Sequence, residues 1–145
     1  MTSNPYSTHR FWVEIKGITE GAFSECSGLE SEIEVMEWRE GGRNDLVHRL
    51  PGRVKTAPNL VLRRGVATAE LWQWYYDVTQ GKLTSGMVKR QSLSVILYGY
   101  DAMPQVRWNI TGALPIKWSG PTFKADAGEV AVESIELIHQ GLVRV

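Results

Sequence analysis

Cysteine, long apolar runs and net charge are scarce or missing in this sequence of 145 residues. With one cysteine, Cys26, the chain cannot form an intramolecular disulfide, so a reducing compartment is the default expectation. No apolar run approaches the roughly 20 residues that a membrane-spanning helix needs, and the polar first ten residues lack the apolar segment of a signal peptide. These absences predict a protein made in the cytoplasm, with no stable membrane insertion.

The charges cancel over the whole chain but not along it. Sixteen basic and sixteen acidic side chains argue against a protein that coats nucleic-acid backbones. Residues 1–50 hold five basic and nine acidic side chains (−4), residues 51–100 seven and two (+5), and residues 101–145 four and five (−1). Two interpretations stay open: one globule whose halves attract each other, or a subunit whose acidic face meets the basic face of another copy.

Hydrophobicity alternates with a period of two along most of the chain, which is the spacing of half-buried β-strands. The one helical pattern covers residues 68–80. A chain of this length can build one core unaided. The sequence therefore predicts a single domain over residues 1–145, mainly β: a small β-barrel or sandwich of about seven or eight strands with one flanking helix at about 68–80. The expected strands lie near 10–16, 22–26, 30–39, 46–50, 59–64, 92–100, 105–113 and 129–138.

The longest predicted hairpin runs from residue 30 to about residue 50. Its turn, at 40–45, is rich in glycine and charge. The apolar pattern changes phase along residues 30–39, because Val35 alternates with the acidic residues whereas Met36 and Trp38 fall on the acidic face. This change indicates either a bulge or a strand with both faces covered.

No catalytic or metal-binding pattern stands out. The three histidines have no metal-ligand spacing, and a catalytic thiol at Cys26 would need a histidine beside it in space. We therefore predict a protein that is not an enzyme and needs no cofactor or metal. An enzyme would instead show turnover that one Glu or His substitution abolishes. A monomeric ligand- or carbohydrate-binding β-domain stays open as the alternative function. Its contact residues would be Trp12, Trp38, Trp108 and Trp118.

Six short motifs follow one another in an order that is more specific than any of them alone. They are FWVEI at 11–15, FSECSGL at 23–29, EWREGGRN at 37–44, LPG at 50–52, NLVLRRG at 59–65 and HQGL at 139–142. The set resembles the tail-tube proteins of contractile phages and of extracellular contractile injection systems of the antifeeding-prophage and virulence-cassette type. The resemblance spans almost the whole chain, although the family often has Tyr where Trp38 stands.

The resemblance implies a structural subunit. Such proteins form hexameric rings that stack into a hollow inner tube within a contractile sheath. Contraction drives the tube through a target envelope, and the lumen conducts cargo, either a protein effector or DNA. The implied partners are the chain itself, the sheath, baseplate or spike, and terminator proteins of the same particle, and the cargo. Assembly would take place in the cytoplasm, within a phage-like particle that can be released from the cell.

Extended hairpins of these proteins reach toward the adjacent ring. For this chain we predict two sets of functional residues in and beside the long hairpin, one that faces the lumen and one that contacts the next ring. The lumen-facing residues are predicted to be Glu30, Glu32 and Glu34, because an acidic, non-adhesive wall would let cargo slide. The opposing interpretation of the hairpin tip is a solvated turn. The residues predicted to contact the next ring are Arg39, Glu40, Gly41, Gly42, Arg43, Asn44, Asp45, Arg53 and Lys55.

Overall fold

The structure is a computed structural model that describes residues 10–15, 23–39, 41–42, 46–55, 58–66, 68–81, 90–126 and 128–145. Over these ranges the chain forms nine strands and one helix. The elements are β1 (Phe11–Ile15), β2 (Glu25–Ser27), β3 (Ile33–Arg39), β4 (Val47–Val54), β5 (Leu60–Gly65), α1 (Glu70–Thr79), β6 (Gln91–Tyr98), β7 (Pro104–Ser119), β8 (Val132–Ile138) and β9 (Gly141–Arg144).

Two antiparallel sheets share the long strand β7. The first sheet has the order β1-β6-β7-β9, and the second continues from the last part of β7 through β8 and β5 to β2. The strand passes from one sheet to the other near Gly112, whose positive φ of 64° favours glycine. Along the described strands β1 and β2 end this path without pairing to each other, so the sheets do not close into a barrel.

The core lies between the two sheets, where alternate residues of each strand point inward. Helix α1 adds Leu71 and Trp74 to it, and the half-buried Trp108 packs against it. The predicted mainly β fold with one flanking helix is thus confirmed. No helix among the described residues is long and apolar enough to cross a membrane. Buried strand residues of the core include Val13, Ile15, Leu60, Leu62, Leu93, Val95, Ile110, Ile135 and Leu137.

Two strands continue where the sequence predicts breaks. Strand β7 passes through Pro115, and β4 passes through Pro51. A proline is tolerated in a strand that has a neighbour on one side only, because its missing N–H then faces away from the ladder. Among the described strands, the last part of β7 pairs with β8 alone, and β4 pairs with β3 alone.

The two ends of α1 differ in how they are capped. Gly81 follows the helix with a φ of 69° and donates its N–H to the Val78 carbonyl, as a C-terminal glycine does. At the other end, Thr68 does not cap the helix, because the N-cap position falls on Ala69 and has no side-chain hydrogen bond. The Thr68 hydroxyl accepts a hydrogen bond from Arg64 Nη2 at 3.0 Å.

Candidate functional site: the β3–β4 hairpin

The β3–β4 hairpin extends from the second sheet. Strands β2 and β5, which flank it in the chain, pair with each other, so β3 and β4 continue the same ribbon beyond the sheet. The ribbon is interrupted at Gly28, which has a φ of 98° and lies against the backbone of Asn59. A Cβ at Gly28 would come within 2.2 Å of the Asn59 carbonyl oxygen, so only glycine fits where the hairpin leaves the sheet.

Both faces of the hairpin carry exposed apolar side chains. On one face, Met36 pairs with Leu50 and Trp38 pairs with His48, with the Trp and His ring centroids 5.1 Å apart. On the other face, Val35 pairs with Pro51 and Ile33 pairs with Val54. We call these the Met36 face (Met36, Trp38, His48 and Leu50) and the Val35 face (Ile33, Val35, Pro51 and Val54). Val35 is 64% exposed and Met36 60%, and the buried core draws no described side chain from β3 or β4.

A register shift explains the change of phase in the sequence. Ile33 pairs with Val54, whereas Val35 pairs with Pro51, so β4 uses one more residue than β3 in this stretch. Gly52 lies within the shift, and a Cβ there would be 3.1 Å from Met36 Cγ. The missing side chain leaves room for Met36 to lie across the backbone. The irregularity that the sequence indicates is therefore present, whereas both faces, although apolar, are exposed in the single chain.

The charges of the hairpin are largely paired within it. Three ion pairs connect its two strands or the residues beside them, and all three are solvent-exposed. Two of these pairs bring predicted lumen residues together with predicted inter-ring residues. The pairs are Glu37–Arg49 at 3.6 Å, Glu34–Arg53 at 3.4 Å and Glu32–Lys55 at 3.1 Å.

The predicted tip is described in part. Arg39 ends β3, is exposed, and has no ion-pair partner within the described residues. Gly41 and Gly42 form an exposed turn, and Gly42 has a φ of 85°. Glu40, Arg43, Asn44 and Asp45 lie outside the described residues. Of the predicted lumen residues, Glu30 and Glu32 are exposed and Glu34 is half-buried.

Part of the charge imbalance between the first third of the chain and its middle is satisfied inside the chain. The Glu32–Lys55 and Glu34–Arg53 pairs join these two regions, and so does Glu25–Arg63 at 3.7 Å. For these residues the structure supports the interpretation of one globule whose halves attract each other. Exposed pairs of this kind contribute about 0–1 kcal/mol each.

The globular part contains a buried ion pair that joins two distant parts of the sequence. Arg64 Nε donates to Glu133 Oε1 at 2.9 Å, with side-chain exposures of 5% and 2%, and Trp118 Nε1 donates to Glu133 Oε2 at 3.2 Å. The Trp118 ring then meets Trp72 of α1 edge-on, with centroids 5.0 Å apart. Because Arg64 and Glu133 are 69 residues apart in the chain, no local pattern could have found the pair.

The tryptophans and the cysteine give little support to ligand binding or catalysis. Trp38 is 55% exposed, but the other candidate ligand contacts, Trp12, Trp108 and Trp118, are half-buried. Burial, with the adjacent Glu25 carboxylate, raises the pKa of the Cys26 thiol to about 11, so the thiol is a weak nucleophile at neutral pH. No three His, Cys, Asp or Glu side chains cluster as metal ligands in the part of the chain that the structure describes.

The sequence and the fold of this chain are similar to those of known tube proteins. A family model described as T4-like virus tail tube protein gp19 matches residues 7–143. No curated protein matches the sequence closely enough to count as a relative. A chain in the cryo-EM structure of the PVC sheath-tube complex, from an extracellular contractile injection system in its extended state, is 25% identical. The two structures superpose with a TM-score of 0.80, over 97% of this chain and 91% of that chain.

Two further structures are similar over nearly their whole length. One is a chain of the anti-feeding prophage baseplate, 6-fold symmetrised, at 27% identity and a TM-score of 0.80, covering 99% of this chain and 97% of that one. The other is a chain of the PVC sheath/tube terminator, at 26% identity and a TM-score of 0.82, covering 100% of this chain and 99% of that one. Because the family model covers most of the sequence, the chain belongs to the T4-like virus tail tube protein gp19 family and is a structural subunit of a tail tube.

Proposed function

We propose that this chain forms hexameric rings that stack into the hollow inner tube of a contractile injection system or phage tail. The observation that carries the proposal is the β3–β4 hairpin, which exposes apolar side chains on both faces. A two-stranded ribbon is marginally stable alone, and apolar patches of this kind mark interaction sites. A contact between two different surfaces of identical subunits either closes a ring or propagates a stack. One related chain belongs to a 6-fold symmetrised baseplate, which supports six copies per ring.

The partners follow from the same relationship. Similar chains occur in structures of a sheath-tube complex, a baseplate and a sheath/tube terminator. We therefore expect this chain to meet the sheath, the baseplate or spike, and the terminator of its own particle. The whole chain, residues 1–145, would act as one tail-tube domain without catalytic activity. It would assemble in the cytoplasm into a particle that is released, and the lumen would carry a protein effector or DNA through the target envelope.

Within the tube, the hairpin tip and base are the proposed contacts with the next ring. Arg39 supports this assignment, because it is exposed at the end of β3 without an ion-pair partner among the described residues. The proposed lumen residues Glu30, Glu32 and Glu34 lie at the base of the same hairpin, beside Arg53 and Lys55. In this arrangement the hairpin base lies where the lumen wall meets the neighbouring ring. The set proposed for the ring contact is Arg39 to Asp45 with Arg53 and Lys55.

Size-exclusion chromatography with negative-stain electron microscopy tests the proposal. We expect the purified chain to form rings or tubes, and a strict monomer at high concentration would contradict this and favour the ligand-binding alternative. The variant Arg39→Glu should shorten or abolish tubes while circular dichroism stays unchanged. Lys124→Glu is the matched control, since Lys124 is an exposed cation that is not part of the hairpin. Long tubes formed by Arg39→Glu would show that the tip assignment is wrong.

A further inference from the structure

The first turn of α1 is not held by a cap of its own. Ala69 occupies the N-cap position, and its methyl side chain cannot accept a hydrogen bond from the N–H groups of the first turn. The hydroxyl of Thr68, beside it, accepts a hydrogen bond from Arg64 instead. The helix has ten residues, a length at which an isolated helix is marginal in water. Contacts with the rest of the chain must therefore fix where α1 begins.

Two of these contacts start from one carboxylate. Glu133 lies on β8, the strand between β5 and β7, and its side chain is 2% exposed. Its Oε1 accepts a hydrogen bond from Arg64 Nε on β5 at 2.9 Å, and its Oε2 accepts one from Trp118 Nε1 on β7 at 3.2 Å. The carboxylate of Glu133 thus connects three neighbouring strands through their side chains.

Both partners of Glu133 continue to the start of α1. The guanidinium of Arg64 donates from Nη2 to Thr68 Oγ1 at 3.0 Å, just before the helix begins at residue 70. The Trp118 ring meets the ring of Trp72, in the first turn of the helix, with centroids 5.0 Å apart. We call these connections the arginine arm (Glu133–Arg64–Thr68) and the tryptophan arm (Glu133–Trp118–Trp72). The two arms reach the chain on either side of the point where α1 begins.

A role in stability alone does not account for a buried pair in this place. Removing two charges from water costs free energy that their attraction repays only when the geometry is excellent, so well-packed apolar residues are often equally stable. Hydrogen bonds are directional, however, because donor and acceptor must meet at a short distance and a nearly linear angle. Arg64 and Glu133 are the buried charged side chains among the described residues. Their hydrogen bonds fix directions, whereas apolar contacts around them fix proximity.

We propose that Glu133 is the positioning residue for α1, and that its carboxylate fixes the first turn of the helix through both arms. Leu71 and Trp74 supply the buried apolar surface that keeps α1 against the sheets. The inference is independent of the tube assembly proposed above, because every contact in it lies within one chain. Its consequence is that the start of α1 is set by a residue of β8 rather than by the sequence of the helix.

Removing one hydrogen bond from each arm tests the proposal. Thr68→Val keeps the shape of the side chain but removes the hydroxyl, and Trp118→Phe keeps an aromatic ring but removes the N–H. Each variant should speed hydrogen exchange at the Gln73 amide, which bonds to the Ala69 carbonyl, about tenfold or more, since each loses a hydrogen bond to a charged group. The Gln80 amide, at the other end of α1, should exchange as in the wild type.

Thr79→Val and Trp108→Phe are the matched controls for these two variants. Thr79 is the last residue of α1 and donates its hydroxyl to the Tyr76 carbonyl at 2.6 Å, so its loss should act on the last turn alone. Trp108 lies on β7 and packs against the core, but it belongs to neither arm. Unchanged exchange at Gln73 in either arm variant, or an equal increase in the controls, would overturn the proposal.

The double variant Arg64→Met/Glu133→Leu removes the centre of both arms without leaving a buried charge. Amides of β5 and β8 should stay protected, whereas Gln73 should exchange rapidly and the circular-dichroism exciton band of Trp72 and Trp118 should be lost. The variant Trp72→Phe identifies this band in the wild-type spectrum. A wild-type band with wild-type exchange at Gln73 would show that apolar contacts alone position α1, and the proposal would be wrong. If the double variant does not fold, the two arm variants decide the question, because both retain the Arg64–Glu133 pair.

Discussion

The globular sandwich and the β3–β4 hairpin use the same residue types for opposite purposes. In the sandwich, Leu62 is fully buried, and the Arg64–Glu133 ion pair is shielded from water. In the hairpin, Leu50 is 55% exposed, and the ion pairs are solvated. One region is therefore completed by its own chain, whereas the other has the composition of a core that the chain alone does not close.

The buried ion pair should give the largest effect of a single substitution on the sandwich. Glu133→Gln keeps the side-chain volume but leaves Arg64 as an uncompensated buried charge, which we expect to lower the free energy of unfolding by about 3–5 kcal/mol. Glu25→Gln breaks the exposed pair with Arg63 and should cost about 0–1 kcal/mol. Urea denaturation of both variants measures the difference, and equal losses would mean that the two pairs do not differ as their burial suggests.

The same leucine-to-alanine change should act on different properties in the two regions. Leu62→Ala leaves a cavity in the core and should lower the free energy of unfolding by about 2–5 kcal/mol. Leu50→Ala should change it by less than about 0.5 kcal/mol, because the side chain is exposed in the single chain, and yet it should reduce tube formation. Denaturation and electron microscopy are run on both variants. A large stability loss in monomeric Leu50→Ala would contradict the distinction between the regions.

The junction between the regions depends on Gly28. Gly28→Ala forces a Cβ against the Asn59 carbonyl and should cost about 1–3 kcal/mol while changing the angle of the hairpin. Gly81→Ala is the matched control, because Gly81 lies outside the hairpin and also has a positive φ, but a Cβ added there would meet no atom within 4 Å. We expect tubes from the control and defective tubes from Gly28→Ala, as judged by negative-stain images. Equally normal tubes from both variants would mean that the close approach of Gly28 to Asn59 does not fix the angle of the hairpin.

The smallest effect is expected at Cys26, on β2 at the root of the hairpin. Its pKa is raised from 9.0 to about 11, so a thiol reagent at pH 8 should react roughly 100-fold more slowly with the folded than with the unfolded chain. Because the pKa is raised on folding, this group's stabilising contribution is complete below pH 9 and is lost as the pH rises through about 11. Stopped-flow labelling measures the rate, and fast labelling of the folded chain would show that the root of the hairpin opens readily.

The sequence predicts the fold better than it predicts the site. Alternation identifies most strands, and the stripe that includes Leu71 and Trp74 locates α1 within two residues of its observed ends. Proline misleads at Pro51 and Pro115, because the sequence does not say that these strands have one neighbour each. The short strand β9 is missed, since four residues carry too little periodicity.

The candidate site shows the same limit more sharply. The phase change at Val35 and Met36 indicates either a bulge or covered faces, but the exposure of both faces in a single chain emerges only from the structure. The pairing of Glu34 with Arg53 depends on a register shift that sequence alone does not fix. Long-range contacts such as Arg64–Glu133 have no local signal at all.

Hydrogen exchange of the hairpin in the free chain and in the tube tests whether other copies complete the hairpin. If they do, amides of β3 and β4 should exchange rapidly in dilute monomer and become strongly protected in tubes, whereas amides of β5 and β8 should be protected in both. Equal exchange of β3 and β4 in the two states would contradict the claim that other copies complete the hairpin.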